Sequence, residues 1–176
     1  MLGIDPGTLV TGYGFVAREG GAVRMLACGT IRNTPSRSMP LRLQRIYRAL
    51  TELIGAHLPD ECAVETAFTG KNAQSALKLG HARGVAILAA VEQELPTTEY
   101  SPREVKKAVV GNGNAGKEQV QYMVKSILRL QGPAPAFDAS DALAVALCHL
   151  QRVERPSVTY RDWKSFVEAN PRRVRA

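Results

Sequence analysis

The chain is predicted to fold as an α/β domain with a central five-stranded mixed sheet flanked by helices. Three observations predict it. Short apolar runs that stop at turn residues alternate with longer stretches of helical periodicity. The first two long runs meet at Gly20-Gly21, a hairpin signal, so part of the sheet is antiparallel. Strand–helix–strand units follow, which supply parallel pairs. The element order reads β-β-β-α-β-α-β-α-α-α.

Each element has a local reason. "MLGID" is short and apolar and stops at "PGT", as a buried strand entering a turn does. "TGYGFVAREGGAVRMLACGTI" gives the hairpin, and "NTPSRS" is loop. From Met39 to Leu58, Leu43, Ile46, Leu50, Leu53 and Ile54 recur at helical spacing, with Ser38 as N-cap and Pro40 in the first turn. "ECAVE" is a strand whose end carries Glu65, and "TAFTGKN" is loop. Asn72 to Glu94 reads as one long helix, apolar or small nearly all round, and so expected to be largely buried. "PTTEY" is a strand. "SPREVKKAVV" is a helix with Ser101 capping and Pro102 first. After the loop "GNGNAG", Lys117 to Leu130 is helix, "QGPAPA" is loop, and Phe137 to Val153 is a final, very apolar helix. The domain is therefore placed at residues 1–153, with a basic extension at 154–176.

The 176 residues carry a net charge of +7, which favours a polyanionic partner, most often nucleic acid. Three scattered cysteines argue against a disulfide framework or a zinc site and fit a reducing cytoplasm. No stretch is long and apolar enough to span a membrane and no signal-type segment opens the chain, so a soluble cytoplasmic protein is expected.

The carboxylates are unevenly placed. Asp5 and Glu65 each end a strand, where ligands bind in open α/β sheets. Asp138 and Asp141 are the only acids in "FDASDALAVALCHL" and lie one turn apart on one face. Taken singly, Asp138 and Asp141 also suit helix capping, Asp5 an Asp-Pro-Gly turn, and Glu65 a solvated strand end. Together, with no nearby His or Cys pair, they suit hard cations such as Mg²⁺ or Mn²⁺. A basic protein that gathers acids has the logic of a nuclease: two metals about 3.5–4 Å apart stabilise the attacking and leaving oxygens of a phosphodiester.

"GIDPGTLVTGYG", "VETAFTGKNAQSALKLGHARGVAILAAVEQELP", "EYSPREVKKAVVGNGNAGKEQVQ" and "FDASDALAVALCH" resemble the RuvC family of Holliday junction resolvases, from about Gly3 to His149. The resemblance implies an RNase H-like fold and a homodimer that nicks two symmetric strands of a four-way DNA junction, in recombination and repair. It implies Asp5, Glu65, Asp138 and Asp141 as the catalytic and metal-binding acids, two Mg²⁺ or Mn²⁺ ions, and hydrolysis that leaves a 5′-phosphate without a covalent intermediate. It implies roles in DNA binding or catalysis for Lys106 and Lys117, and base stacking for Phe68. A partnership with the RuvA–RuvB branch-migration machine is implied by resemblance alone.

The resemblance also bears on "GNGNAGKE", Gly111 to Glu118, which matches most of a P-loop. Glu118 stands where the metal-binding Ser or Thr belongs and a helix precedes the loop, so ATP binding is not expected. Arg103, Lys106, Lys107 and Lys117 form the preferred phosphate-contacting cluster, with Lys71 and Asn72 as further backbone contacts. Five arginines without an acid, from Arg32 to Arg48, form a second basic stretch that a solvated helix face would equally explain. Leu77, Gly80, Gly84, Ile87 and Leu88 are the expected dimer face, an ordinary buried helix being the alternative. His81, His149 and Cys148 are read as structural.

Overall fold

The computed structural model describes residues 1–66 and 73–153, with only the backbone of the last. Phe68, Lys71, Asn72 and the 154–176 extension lie outside the described residues. The strands are β1 (Leu2–Asp5), β2 (Val10–Glu19), β3 (Ala22–Arg32), β4 (Cys62–Glu65) and β5 (Thr97–Tyr100). The helices are α1 (Met39–His57), α2 (Ala73–Val91), α3 (Pro102–Val110), α4 (Lys117–Ile127) and α5 (Phe137–Val153). The order of elements is the expected one.

The strands form one sheet in the order β3-β2-β1-β4-β5. β1 is antiparallel to β2 and parallel to β4, and β4 is parallel to β5. Gly20 and Gly21 turn the β2–β3 hairpin with φ of +56° and +83°, which L side chains adopt at a cost.

Strand alternation sorts the core into two layers. Leu2, Ile4, Phe15, Cys62 and Val64 pack against Ile46, Leu50 and Ile54 of α1 and the alanines of α2. Val16 and Ala63 face the other way, toward α3, α4 and α5. On that second face β1 and β2 present glycines. A Cβ at Gly3 would stand 2.1 Å from the Ala142 carbonyl oxygen, and one at Gly12 would stand 1.9 Å from that of Asp138. Gly14, the strand partner of Gly3, lies under Leu143, whose side chain a Cβ would meet at 2.7 Å. α5 therefore rests on bare strand backbone.

Helix ends are shorter than the periodicity predicts. α1 stops at His57 because Leu58 turns left-handed and donates its N–H to the Ile54 carbonyl at 2.8 Å. α4 ends at Ile127, and Arg129 takes a φ of +51° where the pattern predicts helix to Leu130. α3 has the expected Ser101 cap, and Glu104 completes a reciprocal capping box, a device worth about 1 kcal/mol.

The expectation that α2 is largely buried is corrected. Ala82, Ala86, Ala89 and Ala90 face α1 and the sheet, but Leu77, Gly80, Gly84, Leu88 and Val91 are exposed and Ile87 is half-buried. Small side chains let the inner face sit close to its neighbours, and nothing within the described residues covers the outer one.

Two glycine substitutions separate packing from propensity. Gly12→Ala is expected to cost about 1–3 kcal/mol, since the new methyl meets helix backbone that cannot rotate away. Gly55→Ala, in α1 with open space around it, is expected to gain up to about 1 kcal/mol. Urea unfolding of both variants measures this; equal effects would contradict the backbone-contact account.

Candidate active site

Alternation that puts Gly3 and Ala63 beneath α5 also turns the residues two positions on, Asp5 and Glu65, to that side. The parallel register sets them side by side, one step beyond the Ile4–Val64 pair. α5 runs opposite to β1. Its first turn lies over Gly12, the strand partner of Asp5, and Ala142 lies over Gly3. Asp141 therefore comes down beside Asp5.

The three carboxylates line one cleft of 280 Å³, with Pro6, Thr66, Leu79, Pro102, Val105, Lys106, Lys117 and Val120. The Asp5 and Glu65 carboxyls are close enough to perturb each other's ionisation. Lys117 Nζ stands 3.7 Å from Asp141 Oδ2; the lysine side chain is two-thirds exposed and the aspartate 19% exposed. Thr66 continues the β4–β5 pairing past Glu65, its N–H donating to the Tyr100 carbonyl at 2.7 Å.

Electrostatics reflect the crowding. Burial first, and the Asp141 charge second, raise the Asp5 carboxyl above its ordinary range. Burial and then the Asp5 charge raise Glu65 as well. Burial also raises Asp141, and Lys117 opposes that shift. Like charges crowded in a poorly solvated cleft favour the protonated forms, so both carboxyls are pushed upward together.

The other expected site residues distribute unevenly. Asp138 is half-buried in the first turn of α5 and adds to the repulsion on Asp5 and Asp141, but its side chain does not line the cleft. Lys106 lines the cleft, whereas Lys107 and Arg103 are exposed outside it, and Arg103 lies over Gly113. His149 is buried at the other end of α5, bonded through Nδ1 to the Tyr100 hydroxyl at 2.8 Å and through Nε2 to Glu61. It is structural, as expected. Cys148 is in the core, and His81 is exposed.

The "GNGNAG" loop connects α3 to α4 and follows a helix, unlike a P-loop. Its own groups occupy its amides. The Asn112 side chain accepts from Asn114 N–H at 3.0 Å, and Gln119 accepts from Gly116 N–H at 2.9 Å. The loop thus serves to place Lys117 at the start of α4, over Asp141.

One positioning residue was missed from sequence. Thr11 is fully buried, and its hydroxyl donates to the Gly7 carbonyl at 2.7 Å, pinning the turn that follows Asp5. The signal available was a hydroxyl four residues after an Asp-Pro-Gly turn.

The donor set is all oxygen, which fits a hard divalent cation. Among the described residues no three or more such side chains stand grouped closely enough to hold a metal ion as they are placed.

Raised folded-state values mean that the folded protein keeps protons which an unfolded chain releases near pH 4. Without divalent cation, stability should therefore fall as pH rises through those raised values. Glu65→Gln should flatten the fall and be more stable than wild type at about pH 8, with little difference at about pH 5. Thermal unfolding in chelator checks this; parallel pH curves for the two proteins would contradict it.

Residues 1–149 match the family model described as crossover junction endodeoxyribonuclease RuvC. The chain is 49% identical over 175 residues to the enzyme of that name from Salinibacter ruber, covering 99% of this chain and 98% of that one. The Thermus thermophilus RuvC structure superposes with a TM-score of 0.80 at 35% identity, covering 88% of this chain and 96% of that chain. The same protein in complex with a Holliday junction substrate matches at 0.80 and 36%, covering 88% and 94%. The yeast mitochondrial Holliday junction resolvase Ydc2, 15% identical with a TM-score of 0.58, shares the fold. A mixed sheet of this order, carboxylates at its strand ends and a match over most of the chain agree: the fold is RNase H-like, and the chain belongs to the RuvC family of crossover junction endodeoxyribonucleases.

Proposed function

We propose that this chain resolves four-way DNA junctions in recombination and repair, cutting two symmetric strands by phosphodiester hydrolysis to leave 5′-phosphates. The observation that carries it is the convergence of Asp5, Glu65 and Asp141, from three separate elements, in one cleft walled by Lys106 and Lys117. The junction is the substrate bound by the Thermus relative.

The cleft divides the labour. Asp5, Glu65 and Asp141, with Asp138 beside them, would hold two divalent ions, Mg²⁺ or Mn²⁺. When bound, such ions neutralise charge on the scissile phosphate and acidify an attacking water. Because burial raises Asp5 and Glu65, holding such ions would require these carboxyls to release the protons they carry. Lys117 exchanges its Asp141 partner for a phosphate oxygen, and Lys106 steadies the same strand from the facing wall. Leu79, Val105 and Val120 supply apolar wall to the cleft, which limits solvation of its charges. Arg103 and Lys107 extend the phosphate-binding surface beyond the cleft. Phe68, Lys71 and Asn72, in the loop after Glu65, are assigned to the strand crossover, Phe68 by stacking on a base.

Paired cuts require two active sites related by a two-fold axis. The outer face of α2 (Leu77, Gly80, Gly84, Leu88 and the half-buried Ile87) is the surface we assign to a homodimer, because it is apolar and nothing among the described residues covers it. The RuvA–RuvB machine is the proposed supplier of junctions. Three free cysteines suit a cytoplasmic setting, and no described helix is long and apolar enough to cross a membrane. The nuclease domain is taken as 1–153 and the basic 154–176 segment as an extension.

Cleavage of a mobile four-way junction, beside linear duplex of equal sequence, tests this. Paired nicks should appear in the junction alone and vanish with chelator. Asp141→Asn should lower the rate by more than about 100-fold while junction binding persists. Binding without cuts in either metal would reduce the protein to a junction-binding module. Leu77→Asp with Leu88→Asp should give monomers by sedimentation and end paired nicking; an unchanged dimer would remove α2 from the interface.

A further inference from the structure

A second basic surface lies on the opposite helical layer from Lys106 and Lys117. Arg37, Leu41, Arg45, Arg48 and Glu52 line a shallow groove of 430 Å³ along the outer face of α1. Arg45 and Arg48 stand one turn apart, so their guanidiniums share a face. Arg37, Arg45 and Arg48 are exposed, and none has an ion-pair partner among the described residues.

Arg42, between Arg37 and Arg45 in the run, is spent on shaping this surface. Arg42 donates from Nε to the Arg37 carbonyl at 2.7 Å and from its terminal nitrogen to the Pro35 carbonyl, fixing the loop that presents Arg37. The groove is also tied to the cleft. Asn33 donates its N–H to the Leu9 carbonyl at 2.8 Å and its side-chain amide to Thr8 at 3.1 Å and Arg42 at 3.3 Å. These bonds knit the entry of α1 to the loop that leaves Asp5. Positive charge thus lies on both helical layers, with lysines on the face that carries the carboxylates and arginines on the other.

We propose that the α1 groove binds the phosphate backbone of a duplex arm of the junction, at a distance from the strand being cut. This rests on the junction-resolving reading above. Charge complementarity selects the occupant. Three unpaired guanidiniums in a row, with a single acid at the end of the groove, fit a regular polyanion with one charge per ~3.4 Å of each strand. Arginine forks suit phosphate oxygens bidentately.

Junction binding measured across a salt series tests it, with Arg37→Gln/Arg45→Gln/Arg48→Gln against wild type. Each phosphate contact removed should lower the slope of log K on log salt by about 0.9, so the triple variant should lose about 2–3 in slope. Arg24→Gln, in the exposed Arg24–Glu19 pair beside the hairpin turn, should leave the slope alone. Shortening the arms should erase the difference between triple variant and wild type. An unchanged slope, with an unchanged melting temperature as the folding control, would overturn the proposal and leave the groove to an acidic protein partner. A slope loss that survives on short arms would also overturn it, by moving the contact to the crossover. Failure of the junction reading looks different: wild type would then prefer junction no more than linear duplex. The slope on linear DNA would still report whether the arginines meet phosphate.

Discussion

Bare strand backbone under α5 is the constraint on which this molecule depends. Gly3, Gly12 and Gly14 leave no room for a side chain between sheet and helix. α5, whose residues 142 to 148 are all buried, can therefore settle directly on β1 and β2, with Ala142, Leu143 and Ala146 at the contact. That close approach brings an acid from residue 141 into a cleft shared with acids from residues 5 and 65. A protein spends stability to do this, because three carboxylates in a half-buried cleft repel one another and are poorly solvated. Lys117 offsets part of that cost.

Much of this was legible in the sequence because it rests on local chemistry. The hairpin at Gly20-Gly21, the Ser101 cap and the strand-terminal positions of Asp5 and Glu65 each follow from a few neighbouring residues. The convergence of Asp5 with Asp141 was inferred from function and family resemblance, since no short-range pattern encodes a helix docking on a strand more than a hundred residues away. The glycines that permit it were read as turn and strand residues, and their role emerges only when α5 is seen above them. Two other readings failed for tertiary reasons. α2 looked buried all round because composition does not say which side of an apolar helix meets its own chain. Thr11 was passed over because its one important bond depends on how the turn after Asp5 folds back.

The layout separates binding from chemistry. Negative charge is concentrated at the carboxyl ends of β1 and β4, and positive charge is spread over α1 on one layer and the α3–α4 connection on the other. A long polyanion can be held by distant cations while the scissile phosphate alone meets the acids. The exposed apolar face of α2 lies between these surfaces in chain order and belongs to neither. Its assignment to a second copy makes the pairing of cuts a consequence of symmetry, with no need for a separate signal between sites.

The account stands or falls on whether the gathered carboxylates act as one cation site. Calorimetric titration of Mg²⁺ into the metal-free protein, in two buffers of different ionisation enthalpy, reads this directly. Because burial keeps Asp5 and Glu65 partly protonated, cation binding near neutral pH should release protons. Glu65→Gln should abolish the release and weaken binding. Tight Mg²⁺ binding with no proton release, or equal binding by Glu65→Gln, would contradict the account.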